Sequence, residues 1–179
     1  MKTIQRILNN LNVDSGQYNA VKGKLGLNFG KEPSEKEIAL EIIDSVGNNY
    51  FKNLDMGLFR NTTLDKYKIF KASGDSRNAL VMCLELCYID LNGPSNRGGF
   101  KRDSEFLNNY PPFDPNDKSS VFLAPGIVEY ILKLSKELAL SKQEISQLFF
   151  EHNMMVDKVR NLPLSVPDAW IILESELKF

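Results

Sequence analysis

Cysteine and histidine are scarce in this chain: two of the first and one of the second among 179 residues. The thiols, Cys83 and Cys87, stand four apart in one apolar stretch. On a helix they share a face, where disulfide geometry is hard to reach, so both are expected to be reduced and buried. A thiol in dense apolar surroundings has its pKa raised, which weighs against a Cys–His nucleophile pair. A metal site on Cys83, Cys87 and His152 would need a fourth ligand, and thiols held rigidly at i and i+4 do not match the loop spacing of structural zinc. No metal or cofactor is expected.

Charge of one sign is missing too. Twenty-two basic residues face 23 acidic ones, a net charge of −1. That argues against a general nucleic-acid or anionic-membrane binder, which usually carries an excess of Lys and Arg. No apolar run approaches the roughly 18–20 residues needed to cross a bilayer. The opening "MKTIQRILNNLN" mixes apolar with polar residues where a signal peptide would be continuous. The expected compartment is therefore the cytoplasm, without membrane contact. Period-2 alternation is almost absent, so no sheet is expected, and neither a repeat nor a convincing linker divides the chain.

What is present is helical periodicity in a composition ordinary for a globular protein, 42% hydrophobic and 25% charged. The pattern predicts an all-α protein, a single domain over 1–179, with seven or eight helices around a central apolar helix at about 76–91. Ile4, Ile7, Leu8 and Leu11 form a first stripe. Gly16, Gly23, Gly26 and Gly30 make any helix between Asn12 and Lys31 brief or broken. Ser34 and Glu37 form a capping box for a helix that Gly47 closes, with Ile38, Ile42 and Val46 inward, and Asn48 to Asp55 is read as a further turn or two. A further helix is read from Thr63 to Ala72.

Asp75 or Ser76 caps the central helix, which extends to Leu91 and stops at Asn92-Gly93-Pro94. A long irregular segment, 92–123, follows, broken by a short helix near 104–109 and by Pro111, Pro112 and Pro115. Pro125 suits the first turn of the next helix, whose buried face is Ile127, Ile131, Leu134 and Leu138. A second capping box, Ser141 with Glu144, opens a helix carrying Ile145, Leu148, Phe149 and His152 on one side. His152 at its end is read as a partner for free carbonyls. Another short helix is read from Met154 to Asn161. Ser165 and Asp168 start the last one, with Val166, Trp170 and Leu173 inward.

Candidate sites gather on the central helix and at its exit. From Ala79 to Leu91 the only strongly ionisable groups are Glu85 and Asp90. At about 100° per residue, Asn78, Glu85 and Asn92 fall within roughly 20° of one another, a polar line on an apolar rod. Either that line faces water and Glu85 is an ordinary solvated carboxylate, or Glu85 is buried and demands a partner. The guanidinium groups available for that role are Arg60, Arg77, Arg97, Arg102 and Arg160. Asp90 sits about 140° away around the helix and cannot pair with Glu85 side by side.

Beyond Asn92, the turn "GPSNRGGFKR" brings Arg97, Lys101 and Arg102 together with Gly98-Gly99. Converging amides in such a turn can bind an anion, although no Gly-Lys-Ser/Thr follows and the glycine spacing matches no dinucleotide fingerprint. The candidate binding residues are therefore Asn78, Glu85, Asn92, Arg97, Lys101 and Arg102, and none is assigned a catalytic role.

The stretch "LSKQEISQLFFEHNMMVDKVRN", residues 140–161, is similar to the repressor-type helix-turn-helix at Leu140, Ser141, Glu144, Ile145, Phe149, Val156 and Val159. It departs where Phe150 stands for the turn glycine and Glu151 for a small apolar residue. Asp157 opposes Lys158 and Arg160 on the helix that would enter the groove. The resemblance implies DNA binding through 140–161; the missing basic face argues against it.

Three functions are thus in play. The leading expectation is a non-catalytic module that binds another protein, or itself, through the Pro- and aromatic-rich 92–120 segment. The first alternative is an enzyme or sensor for a small phosphate-bearing ligand at the Arg97–Arg102 turn, with Glu85 as its polar group. The second is helix-turn-helix DNA binding.

Overall fold

Every regular element that the computed structural model describes is a helix. The described residues are 2–53, 55–92, 127–162 and 164–178, and the Met56 side chain is not among them. They form eight helices: α1 (Lys2–Asn10), α2 (Ser15–Phe29), α3 (Glu35–Lys52), α4 (Met56–Ala72), α5 (Ser76–Leu91), α6 (Ile127–Glu137), α7 (Lys142–Arg160) and α8 (Val166–Glu176). The short helix expected near 104–109, the start at Pro125 and most of the irregular segment lie outside the described residues.

The central helix is α5. From Ala79 to Asn92 every residue except Val81 is buried. α4, α6, α7 and α8 surround it, which is why the helix is apolar nearly all round. Its N-cap is Asp75, whose side chain accepts from the Asn78 amide. A second apolar cluster joins Ile4, Ile7 and Leu8 of α1 to Leu25, Ile38, Ile42, Ile43 and Ile69. α4 belongs to both clusters, through Phe59 on the α5 side and Ile69 on the α1–α3 side.

Four local expectations need correction. α2 is a continuous 15-residue helix despite its glycines. Each interior glycine costs about 1 kcal/mol relative to alanine. Two caps and packing of Leu25, Tyr18 and Val21 offset that cost. Asp14 and Gln17 form a reciprocal capping box, and Gly30 closes the helix in a left-handed conformation at φ 64°. The box was visible in the sequence; the glycines masked it.

Gly47 does not end α3, which continues to Lys52. A Cβ at Gly47 would lie 2.7 Å from Thr62 Oγ1, so this glycine permits close approach of α3 and α4 rather than marking a stop. α4 in turn begins at Met56 instead of Thr63, with Asp55 accepting from the Leu58 amide.

α7 is the fourth. It runs unbroken for 19 residues, through Phe150, where the helix-turn-helix resemblance requires a turn, and through Met154–Asn161, expected as a separate helix. No glycine or proline interrupts Lys142–Arg160. The rings of Phe149 and Phe150 both pack on Trp170 of α8, so continuity serves the core. The likeness to a DNA-binding motif is that of one long capped helix.

Candidate functional site

The line Asn78–Glu85–Asn92 does not form one site. Its three members do separate jobs along α5. Asn78 is exposed and donates from its side chain to Asp75 Oδ2 at 2.8 Å, reinforcing the helix start. Asn92 is buried at the far end. Its amide donates to the Tyr88 carbonyl at 2.8 Å, and its side-chain oxygen accepts from the Leu164 amide at 2.6 Å.

The same corner is tied again by Tyr88. Its hydroxyl lies 3.0 Å from both Asp157 Oδ1 and the Leu164 carbonyl, while Asp157 also accepts from the Leu162 amide. Burial and the neighbouring Asp157 push the Tyr88 phenol up. The α7–α8 connection is thereby clamped over the last turn of α5.

Glu85 is buried, only 5% exposed, so the solvated reading of this carboxylate is wrong. Its partner is none of the arginines considered for contact. His152 Nε2 on α7 lies 3.2 Å from Glu85 Oε2. The imidazole stands at the middle of α7, not its end, because the helix continues two further turns. Lys66 of α4 also bears on Glu85 and donates to Asp44 Oδ1 of α3 at 2.8 Å. Arg160 acts through its charge, while its guanidinium donates to Asn48 Oδ1 and lies 4.5 Å and 5.0 Å from the Phe51 and Phe59 ring centroids.

Four helices thus meet on one polar cluster: Asp44 and Asn48 from α3, Lys66 from α4, Glu85 from α5, His152 and Arg160 from α7. Desolvation pushes the Glu85 carboxyl up; the His152 hydrogen bond and the charges of Lys66, His152 and Arg160 outweigh it and hold the group below its ordinary range. Burial likewise pulls Lys66 down, and the Glu85 and Asp44 carboxylates more than restore it. His152 and Lys66 were the partners that sequence reasoning missed. The available signal was the position of His152 on the same face as Ile145 and Phe149, both fully buried; an imidazole there needs a polar group on the facing helix.

Asp90, the other α5 carboxylate, faces another neighbour. Arg60 of α4 reaches it with two hydrogen bonds, 2.5 Å and 3.3 Å. Arg77 is exposed, near Glu144. Arg97, Lys101 and Arg102 lie outside the described residues. The two thiols are free and buried. Burial pushes Cys83 up to about 12 and Cys87 well above its ordinary value, so neither is a thiolate at neutral pH. Among the described residues no group of three or more His, Cys, Asp or Glu side chains is placed to hold a metal ion, and no helix is long and apolar enough to cross a membrane.

The chain matches no family model, no curated protein and no solved structure. Its chemistry is therefore read from geometry alone. The ionisable side chains around α5 are engaged with one another across helices. That arrangement orients helices, and among the described residues around α5 no base is poised beside a nucleophile.

One surface differs. Leu148, His152, Met155 and Val159 follow at i, i+4, i+7 and i+11, within about 60° on one side of α7. The first two are half-covered. Met155 and Val159 are 64% and 72% exposed, and Met154 beside them is 52% exposed. Past His152, this side of α7 is an apolar flank that the neighbouring described helices leave uncovered.

A pH dependence follows from Glu85. Its folded pKa lies below the unfolded value, near 4.5. The stability it contributes is present above that value and is lost as pH falls through the folded pKa. Urea midpoints of the wild type should drop more steeply between about pH 5 and about pH 3 than those of Glu85→Gln, which cannot titrate. Parallel curves for the two proteins would show that Glu85 is not held as a carboxylate.

Proposed function

We propose that the chain is a non-catalytic helical protein of the cytoplasm, where its free thiols stay reduced, and that its activity is binding another protein. The observation that carries this reading is the exposed flank of α7, Met155 and Val159 with Met154. Single exposed apolar residues are normal on protein surfaces, but a run of three on one and a half turns is a contact surface in search of a cover. Unbranched Met side chains suit such surfaces because they adapt to a partner's shape. On sequence grounds the aromatic-rich 92–120 segment is a further contact surface. It lies outside the described residues.

The phosphate-ligand reading gains nothing from Glu85, because His152 already meets its carboxylate and the charge of Lys66 acts on it. It would rest on Arg97, Lys101 and Arg102 alone.

Site-specific photo-crosslinking in the cells that make the protein tests the proposal. A crosslinking residue at 155 or 159 should give one discrete adduct that is absent when the probe sits at exposed Lys133, and Val159→Lys combined with the probe at 155 should abolish it. Equal, diffuse crosslinking from all three positions would remove the protein-binding reading.

A further inference from the structure

The exposed flank of α7 carries its charges in a pattern that bears on what covers it. Ile145, Phe149 and Asn153 face the body and are buried. At about 100° per residue, the opposite side of the helix presents Gln147, Glu151, Met154, Met155 and Lys158, all exposed. Glu151 stands three positions before Met154, and Lys158 three positions after Met155. The two methionines lie to either side of the line that joins the charges.

Among the described residues Lys158 makes no hydrogen bond or ion pair. Glu151 accepts from Gln147 of its own helix through Oε1 only. One acid and one base leave this flank neutral, so it favours neither an acidic nor a basic partner. It is instead complementary to itself. A two-fold axis passing between Met154 and Met155, perpendicular to α7, sets two copies of the helix antiparallel. Glu151 of each copy then faces Lys158 of the other, about 5 Å along the helix from the axis, and each Met155 packs on the other copy's Met154.

Resting on the protein-binding reading above, we infer that the partner is a second copy of this chain, seated in an antiparallel α7–α7 contact. The methionines supply the apolar centre, and the paired charges fix the antiparallel register. A contact confined to one helix flank is small, below about 1,200 Å² in total, so the dimer forms and dissociates with concentration. Glu151 and Lys158 would also suit any solvated helix face. If that were their whole role, reversing either charge would leave self-association unchanged.

Sedimentation equilibrium of the full-length protein between about 5 and about 500 µM separates the two. The wild type should pass from monomer to dimer across that range. Glu151→Lys and Lys158→Glu should each weaken self-association at least about tenfold, because like charges then meet twice across the axis. An equimolar mixture of the two variants should associate within about threefold of the wild type, since the mixed pair restores both opposite-charge contacts. The double variant Glu151→Lys/Lys158→Glu should recover self-association for the same reason. Thermal melts of all three at low concentration should stay close to wild type, as both side chains are exposed.

A wild type that stays monomeric throughout the range would overturn the second-copy inference. The crosslink from position 155 then reads separately whether the flank binds a different protein. A dimer that both single charge reversals leave intact, or that the mixed variants fail to restore, would place self-association elsewhere and overturn the α7–α7 contact.

Discussion

Asp90→Ala should destabilise the protein by about 3–5 kcal/mol, among the largest effects of any single polar substitution in the described residues. The Asp90 side chain is fully buried and that of Arg60 nearly so. Two hydrogen bonds join them. Removing the carboxylate takes two hydrogen bonds and a negative charge from a buried guanidinium, which cannot shed its proton to escape. The loss is therefore that of a buried charge deprived of its carboxylate, which exceeds the net worth of the pair itself.

The double variant Arg60→Met/Asp90→Leu tells these apart. It should recover much of the stability, since apolar replacements of similar volume remove both charges of this pair together. Thermal melts read the difference directly: for a chain of this length each kcal/mol moves Tm by about 2–4 °C, so the single variant should melt roughly 10 °C lower. A single variant within about 1 kcal/mol of wild type, or a double variant no better than the single, would show that the Arg60–Asp90 charges do not carry the α4–α5 contact.

Phe149→Ala should cost about 3–5 kcal/mol as well, through a different mechanism. Phe149 is fully buried. Its ring meets Tyr88 of α5 at 6.4 Å, Phe150 at 6.1 Å and Trp170 of α8 at 5.3 Å between centroids. Deleting it opens a cavity where α5, α7 and α8 converge, and the surrounding rings are too large to collapse into it fully.

The chain's single tryptophan is a built-in reporter. Trp170 is nearly buried, so its emission should shift to the red in the variant while far-ultraviolet helicity persists. Phe149→Leu, which fills most of the volume, should lose markedly less. Unchanged Trp170 emission together with a loss below about 1.5 kcal/mol would mean that this aromatic cluster is not the centre of the C-terminal core.

Both predictions concern α5 and its neighbours, and α5 was the element most legible beforehand. An apolar run without a polar face has only one stable place in a water-soluble helical protein, inside a ring of other helices. The capping boxes at Ser34 and Ser141 were equally legible, because a cap is a local hydrogen bond between residues three apart. Glycine misled twice, and for one reason. Gly47 and the α2 glycines were read as local breakers. Gly47 is set by how closely α4 approaches, and the α2 glycines are offset by caps and by packing on α3, so tertiary contact overrides the local preference. The separate short helix expected at Met154–Asn161 is the continuation of α7, since no glycine or proline after His152 demands a break.

What the residues determined unaided is the set of local facts: helical periodicity, where most helices begin, thiols without a disulfide, and no sheet among the described residues. These depend on interactions within a few positions along the chain. What the tertiary structure alone decided is the fate of the charges. Glu85 meets an imidazole 67 positions away and Asp90 a guanidinium 30 positions away, and no local pattern encodes either meeting. A carboxylate on an apolar rod is solvated or paired according to what the neighbouring helices bring to it, and that depends on their packing angles and register. The uncovered flank of α7 has the same origin, since whether a stripe is covered depends on which face of the helix its neighbours pack against.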